Sequence, residues 1–218
     1  MTTVSIEVRD YLWEHFELAW EGLHGRGNAH QIFEDILQRM SADWRGYHDL
    51  THLVQMLKGL RTYPEKVTNR AEMIYAILTH DWIGKPGEVN AELRSAYDAA
   101  LELANAGVPT QVIDRVHDLI MVTDHKREPK DHDQKLMVDL DLSIFAANDE
   151  KFALYEAGIW KEWSPIAARA TYTERRAKFL KENFLDKEFI YHTEHYRKHF
   201  EARARMNLAR LISVLEKG

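Results

Sequence analysis

Apolar residues in this chain recur at intervals of three and four through almost every stretch between its glycine and proline breaks, and nowhere in sustained alternation. That period lines up side chains on one face of an α-helix, whereas a half-buried strand needs a period of two. Tyr11, Leu12, Phe16, Ala19 and Trp20 predict an opening helix over 8–20, broken by Gly22, Gly25, Gly27 and Asn28. Ile32, Phe33, Ile36, Leu37 and Met40 predict a second over 29–40, with Ser41 and Asp43 marking a turn. A third is expected over 47–60, through Leu50, Leu53, Val54, Leu57 and Leu60, and Tyr63-Pro64 ends it. The next, 69–78, delivers His80 and Asp81 at its C-terminal end. Gly84, Pro86 and Gly87 make a loop, after which helices are expected over 90–106, 110–123 and 134–145. The stretch 124–133 is dense in charge and reads as a loop, and 151–217 reads as helix-rich with many aromatics. No hairpin signal and no fixed-period repeat occurs. The expectation is an all-α chain.

A length of 218 residues, an apolar share of 45% and six Trp suit one ordered domain with a sizeable core. A net charge of −6 argues against general nucleic-acid binding, which needs a basic face, but leaves room for a local basic funnel. Cysteine is absent, so disulfides and thiolate metal sites are excluded and any ion must rely on His, Asp, Glu or water. The first ten residues carry Glu7, Arg9 and Asp10, and no run approaches the roughly 18 apolar residues of a membrane span. The expected location is therefore cytoplasmic, with no membrane partner, and homo-oligomerisation is left open. Twelve histidines form the one compositional hint of metal chemistry.

Three points in the chain carry that chemistry. Trp44-Arg45-Gly46-Tyr47-His48-Asp49-Leu50-Thr51-His52 holds two imidazoles four residues apart, which a continuous helix would stack on one face. His80-Asp81 closes the apolar run 74–79, and a buried imidazole–carboxylate pair demands compensation. Asp139-Leu140-Asp141 sits inside a third apolar run. Taken singly, each has an ordinary reading as a cap, a surface pair or a core salt bridge. Taken together, two imidazoles and two carboxylates offset a divalent charge and leave coordination positions for water, a mix that suits Mn²⁺, Fe²⁺, Zn²⁺ or Ni²⁺ better than Ca²⁺. An open position on such an ion brings the pKa of bound water down to roughly 7, which points to hydrolysis.

The order His … His-Asp … Asp on a helical chain resembles the HD superfamily of metal-dependent phosphohydrolases, and more narrowly the bacterial group of predicted HD-superfamily metal-dependent hydrolases. The pieces that carry the resemblance are Arg45-x-Tyr47-His48-x-x-x-His52, Thr79-His80-Asp81, Asn90-x-Glu92-x-x-Ser95-Ala96 and Leu119-Ile120-x-x-Thr123. They continue in Asp139-x-Asp141-Leu142-Ser143-Ile144, Ile190-Tyr191 and Glu201-x-x-Ala204-Arg205-x-Asn207-Leu208. The resemblance implies a single HD-type helical domain over 1–218, with its metal-site core at about 44–145 and additional C-terminal helices at about 151–217. It implies a divalent metal cofactor, without distinguishing Mn, Fe, Mg, Zn or Ni, and a small phosphorylated, nucleotide-type substrate hydrolysed through a metal-activated water.

Carried over residue by residue, the resemblance makes His80 and Asp81 metal ligands. The first ligand is ambiguous. HD proteins often use the first His of the leading helix, whereas Tyr47-His48-Asp49-x-x-His52 also resembles a cyclic-nucleotide phosphodiesterase element in which the second His binds metal and the first protonates the leaving group. The second assignment is preferred: His52 ligand, His48 acid. Asp49 stands where that element has Asn. For the last ligand the resemblance favours Asp141 over Asp139, because Asp141-Leu142 matches the family's Asp placed directly before an apolar or basic residue. The two cannot share one helical face, since i and i+2 diverge, and Asp139 is left to orient a ligand histidine. Arg45 and Lys85 are candidate phosphate contacts. Asn90 and Glu92 are candidates for substrate contact or for bracing the next helix. His125 is expected to be solvated, with approach to metal or substrate as the alternative. The competing class is a non-catalytic HD-type metal- or nucleotide-binding regulatory module.

Overall fold

The computed structural model describes residues 4–217. Ten α-helices carry the chain, and no strand occurs among the described residues. They are α1 (Ile6–Gly22), α2 (Ala29–Met40), α3 (Leu50–Thr62), α4 (Arg70–Thr79), α5 (Ala91–Asn105), α6 (Thr110–Met121), α7 (His132–Asp141), α8 (Asp149–Trp163), α9 (Arg169–Leu180) and α10 (Glu194–Leu215). The short caps are legible in the sequence. The side chains of Ser5, Asn28, Asp131, Asn148 and Thr193 each accept a backbone N–H from the first turn of the helix they precede.

Helix α4 is the centre. Every residue from Glu72 to Thr79 is buried, and the helix packs against α1, α3, α5, α6 and α7. A helix apolar all round belongs inside a protein, so its C-terminal residues His80 and Asp81 emerge in the interior rather than at the surface. Its start is held from outside. Asn69 makes no side-chain cap, and Asp133 of α7 instead accepts the N–H groups of Thr68 and Asn69 at 3.0 and 2.9 Å. Arg115 of α6 grips Glu72 with two hydrogen bonds.

Two expected helices differ from the structure. The third begins at Leu50 rather than at residue 47, because Asp49 turns its carboxylate onto the N–H groups of Thr51 and His52 and takes an extended backbone. His48 therefore lies on a bend outside the helix, and the expected His48/His52 helical face does not exist. The helix expected over 134–145 spans His132–Asp141 and tightens into a 3₁₀ segment, Leu142–Ala146, against which α8 and α10 pack.

Candidate metal centre

Three helix ends deliver the cluster. His52 stands in the first turn of α3, His80 caps the C-terminus of α4 with Asp81 beside it, and Asp141 is the last residue of α7. His52 Nε2 and His80 Nε2 are 3.3 Å apart. Asp81 Oδ2 lies 3.1 Å from His80 Nε2 and 3.7 Å from His52 Nε2, and Asp141 Oδ1 lies 3.2 Å from His52 Nε2 and 3.8 Å from His80 Nε2. Both imidazoles are buried, at 2% and 1% exposure. His80 Nδ1 donates to the carbonyl of Ile77 at 2.9 Å, which turns Nε2 of the neutral ring, with its lone pair, toward the cluster.

These residues fit a divalent cation. His52, His80 and Asp81 each offer one donor atom within 4.8 Å of the others, and Asp81 Oδ2 is a buried acceptor without a hydrogen bond of good geometry. An orphaned buried carboxylate oxygen is costly unless a cation answers it. The charges give the same account. Burial alone would lower the pKa of His80, but Asp81 and Asp141 outweigh it and push it up to about 9. Burial opposes ionisation of Asp81, yet His80, His48 and His52 hold its carboxyl well below the usual range. Asp141 is likewise held far below it, against burial, by His125 and His52. Positive charge is what this cluster lacks, and protons supply it where a metal does not.

Beside the cluster, His48 keeps a third of its side chain exposed and packs edge-on to His52, with ring centroids 5.8 Å apart. Its Nδ1 is 2.8 Å from Glu162 Oε2. Glu162 Oε1 accepts three successive N–H groups, from Gly46, Tyr47 and His48, at 2.8, 2.8 and 2.9 Å. Burial pushes the Glu162 pKa up, but the bonds from His48 and this backbone nest win and bring it down to about 2. Helix α8 approaches closely enough for this because glycine meets glycine. A Cβ on Gly46 would lie 2.2 Å from the Gly158 carbonyl oxygen, and one on Gly158 would lie 2.7 Å from that of Gly46. Gly158 and Glu162 are four apart on one helical face, so the contact at the first places the second.

Arg45 is 4% exposed and does not stand at an open mouth. Its Nε donates to the Arg39 carbonyl at 2.8 Å, Nη1 to that of His48 at 2.6 Å, and Nη2 to those of Asp81 at 2.7 Å and Trp82 at 3.4 Å. A guanidinium spread over four carbonyls ties the end of α2, the His48 bend and the His80-Asp81 corner together. This geometry suits a brace better than the phosphate contact expected from the sequence.

The remaining candidates separate. Asp139 faces away from the cluster: fully buried, it accepts the N–H groups of His192 and Thr193 and the Thr193 hydroxyl, at 2.7, 2.8 and 2.6 Å. It secures the start of α10 instead of orienting a ligand histidine, and burial raises its pKa to about 6 against these bonds. His125, expected in solvent, is only 18% exposed, and its Nε2 is 3.1 Å from Asp141 Oδ2. Its left-handed backbone, φ 54°, ends the 3₁₀ turn 122–124 and swings the ring inward. Lys85 is exposed in the loop that follows Asp81. Asn90, at φ 58°, and Glu92 stand at the start of α5, where Asn90 precedes the first turn and Glu92 brings negative charge into it.

Glu162 is the residue that sequence reading missed. Its one signal was a carboxylate set between Lys161 and Trp163 in an otherwise aromatic stretch, and nothing local ties that to His48.

The described residues define an all-α protein with a buried His/His/Asp group of the kind that holds a metal ion. No helix among them is long and apolar enough to cross a membrane. In comparisons with known proteins, the chain has no significant match to a family model, a curated protein or a solved structure.

Proposed function

We propose that the chain is an HD-type, metal-dependent phosphohydrolase acting on a small phosphorylated, nucleotide-type substrate. The observation that carries this reading is the convergence of His52, His80, Asp81 and Asp141 on one buried point from three helix ends. A divalent ion held there supplies Lewis acidity and lowers the pKa of water into the neutral range.

The protein's own groups complete the chemistry. Hydrolysis joins a water oxygen to phosphorus and releases the ester oxygen, which needs a proton as it leaves. His48 is placed to give that proton. Its Nδ1 is engaged by Glu162, which leaves Nε2 as the working nitrogen, and Asp81, Glu162 and Asp141 outweigh burial to hold its pKa above the usual value. Glu162 fixes the ring and balances the imidazolium. Arg45 positions the His48 bend against the ligand corner, and Lys85 in its exposed loop is the cation left to meet a phosphate.

The test is direct. Protein purified without chelator is assayed for bound metal and, with Mn²⁺ added, for phosphate release from nucleotides and phosphomonoesters. His80→Ala and Asp81→Ala should lose both metal and turnover. Turnover retained by either folded variant overturns the assignment. Bound metal with no phosphate release across the panel replaces it with a regulatory binding module.

A further inference from the structure

A cavity of about 540 Å³ beside the metal centre lies between the 122–128 turn and the 183–197 segment. It starts where the cluster ends. His125 lines it while holding Asp141 at 3.1 Å, and Leu142, the residue after Asp141, forms part of its wall. Its lining carries four permanent cations, Lys126, Arg127, Lys187 and Arg197, against two carboxylates, Glu128 and Glu188. A local excess of positive charge in a chain of net charge −6 runs against the composition, and a charged cleft concentrates ligands of the opposite sign.

The donors are largely unspent. Of its four cations, Arg127 alone forms an ion pair among the described residues, with Asp124 at 3.4 Å. Among the described residues, neither the Lys126 nor the Lys187 ammonium forms an ion pair, although they reach the cavity from opposite sides. Arg197 is pre-set: its Nε donates to the Tyr191 carbonyl at 2.7 Å and its guanidinium lies 4.3 Å above the Phe189 ring, while neither Nη nitrogen has a hydrogen-bond or ion-pair partner among the described residues. A guanidinium fixed through Nε with a free Nη edge matches the two-oxygen face of a phosphate.

We propose that this cavity binds a second phosphate of the substrate, so that the substrate is a bisphosphorylated small molecule with one phosphate at the metal ligands and the other between Lys126, Lys187 and Arg197. This rests on the phosphohydrolase reading for the first phosphate only; the cavity's preference is measurable without turnover. Equilibrium binding of adenosine 3′,5′-bisphosphate and of adenosine 5′-monophosphate to the full chain is compared at low and at physiological ionic strength. The bisphosphate should bind at least tenfold more tightly, with an advantage that shrinks as salt rises. Lys126→Ala/Lys187→Ala, both exposed positions, should erase that advantage while metal content and melting temperature stay at the parent values. His80→Ala should lose metal and keep the preference for the bisphosphate. Equal affinity for the two nucleotides, binding of neither, or a preference that survives the double substitution overturns the proposal. None of these three results bears on metal content and phosphate release, which decide the phosphohydrolase reading separately.

Discussion

Glu162 Oε2 lies 2.8 Å from His48 Nδ1 across 114 residues of sequence, and the second oxygen of the same carboxylate gathers the N–H groups of residues 46 to 48. One buried carboxylate thus shapes the bend that carries His48 and also sets which ring nitrogen is free.

Glu162→Gln keeps the shape but removes the charge. It should lower kcat on the order of tenfold, part of the roughly 10²–10⁴-fold that general-acid catalysis supplies, leave KM within about threefold and retain metal. The stability effect has a defined sign. The Glu162 pKa falls from 4.5 unfolded to about 2 folded, so its contribution is complete above pH 4.5 and fades as pH drops toward 2. At pH 7 that amounts to roughly 3 kcal/mol. Denaturant unfolding of parent and variant should show a gap that closes on acidification; a gap independent of pH refutes the assignment.

His48 and His52 should part company. His52→Ala removes a donor that lies 3.3 Å from His80 Nε2, and metal content should fall with activity. His48→Ala should retain metal and lose about 10²-fold or more in kcat. Elemental analysis beside kinetics reads both. Metal loss in His48→Ala, with metal kept in His52→Ala, reverses the two roles.

Arg45→Lys is expected to fail as a conservative change. A single ammonium cannot span four carbonyls drawn from three segments. Buried acceptors left without donors cost about 1–3 kcal/mol each, so the variant should lose at least about 3 kcal/mol and bind metal more weakly. A variant with parental stability but a raised KM would instead restore Arg45 as a phosphate contact.

Asp139 and Asp141 make the sharpest contrast. Asp139→Asn loses acceptor capacity toward His192 and Thr193 and should destabilise the fold by roughly 1–3 kcal/mol while keeping metal. Asp141→Asn weakens the contacts to His52 and His125 and should bind metal poorly, the loss that Asp139→Asn does not show. Thermal melts and metal titrations on the pair decide it, and an exchange of the two phenotypes would reassign the ligand.

The helical class was fully determined by the sequence, because a 3.6-residue apolar period admits no other regular packing. The burial of His80 was legible for the same reason: a run apolar on every side must lie inside, and its end lies there with it. Asp141 was preferred to Asp139 by pattern, and the tertiary structure gives the physical ground, since residues two apart point to opposite sides of α7. What sequence did not decide was everything that depends on an approach between distant segments. The bend at His48 follows from Asp49 capping α3 and from Glu162 waiting a hundred residues later, and the meeting of Gly46 with Gly158 has no local signature. Arg45 read as a candidate phosphate contact because it precedes His48 by three residues; only the folded chain shows four carbonyls converging on it. His125 read as solvated because its neighbours are charged, yet a left-handed backbone turns it inward to Asp141. Periodicity reports which face of an element is buried, whereas the identity of the group across the gap is fixed only when the elements pack.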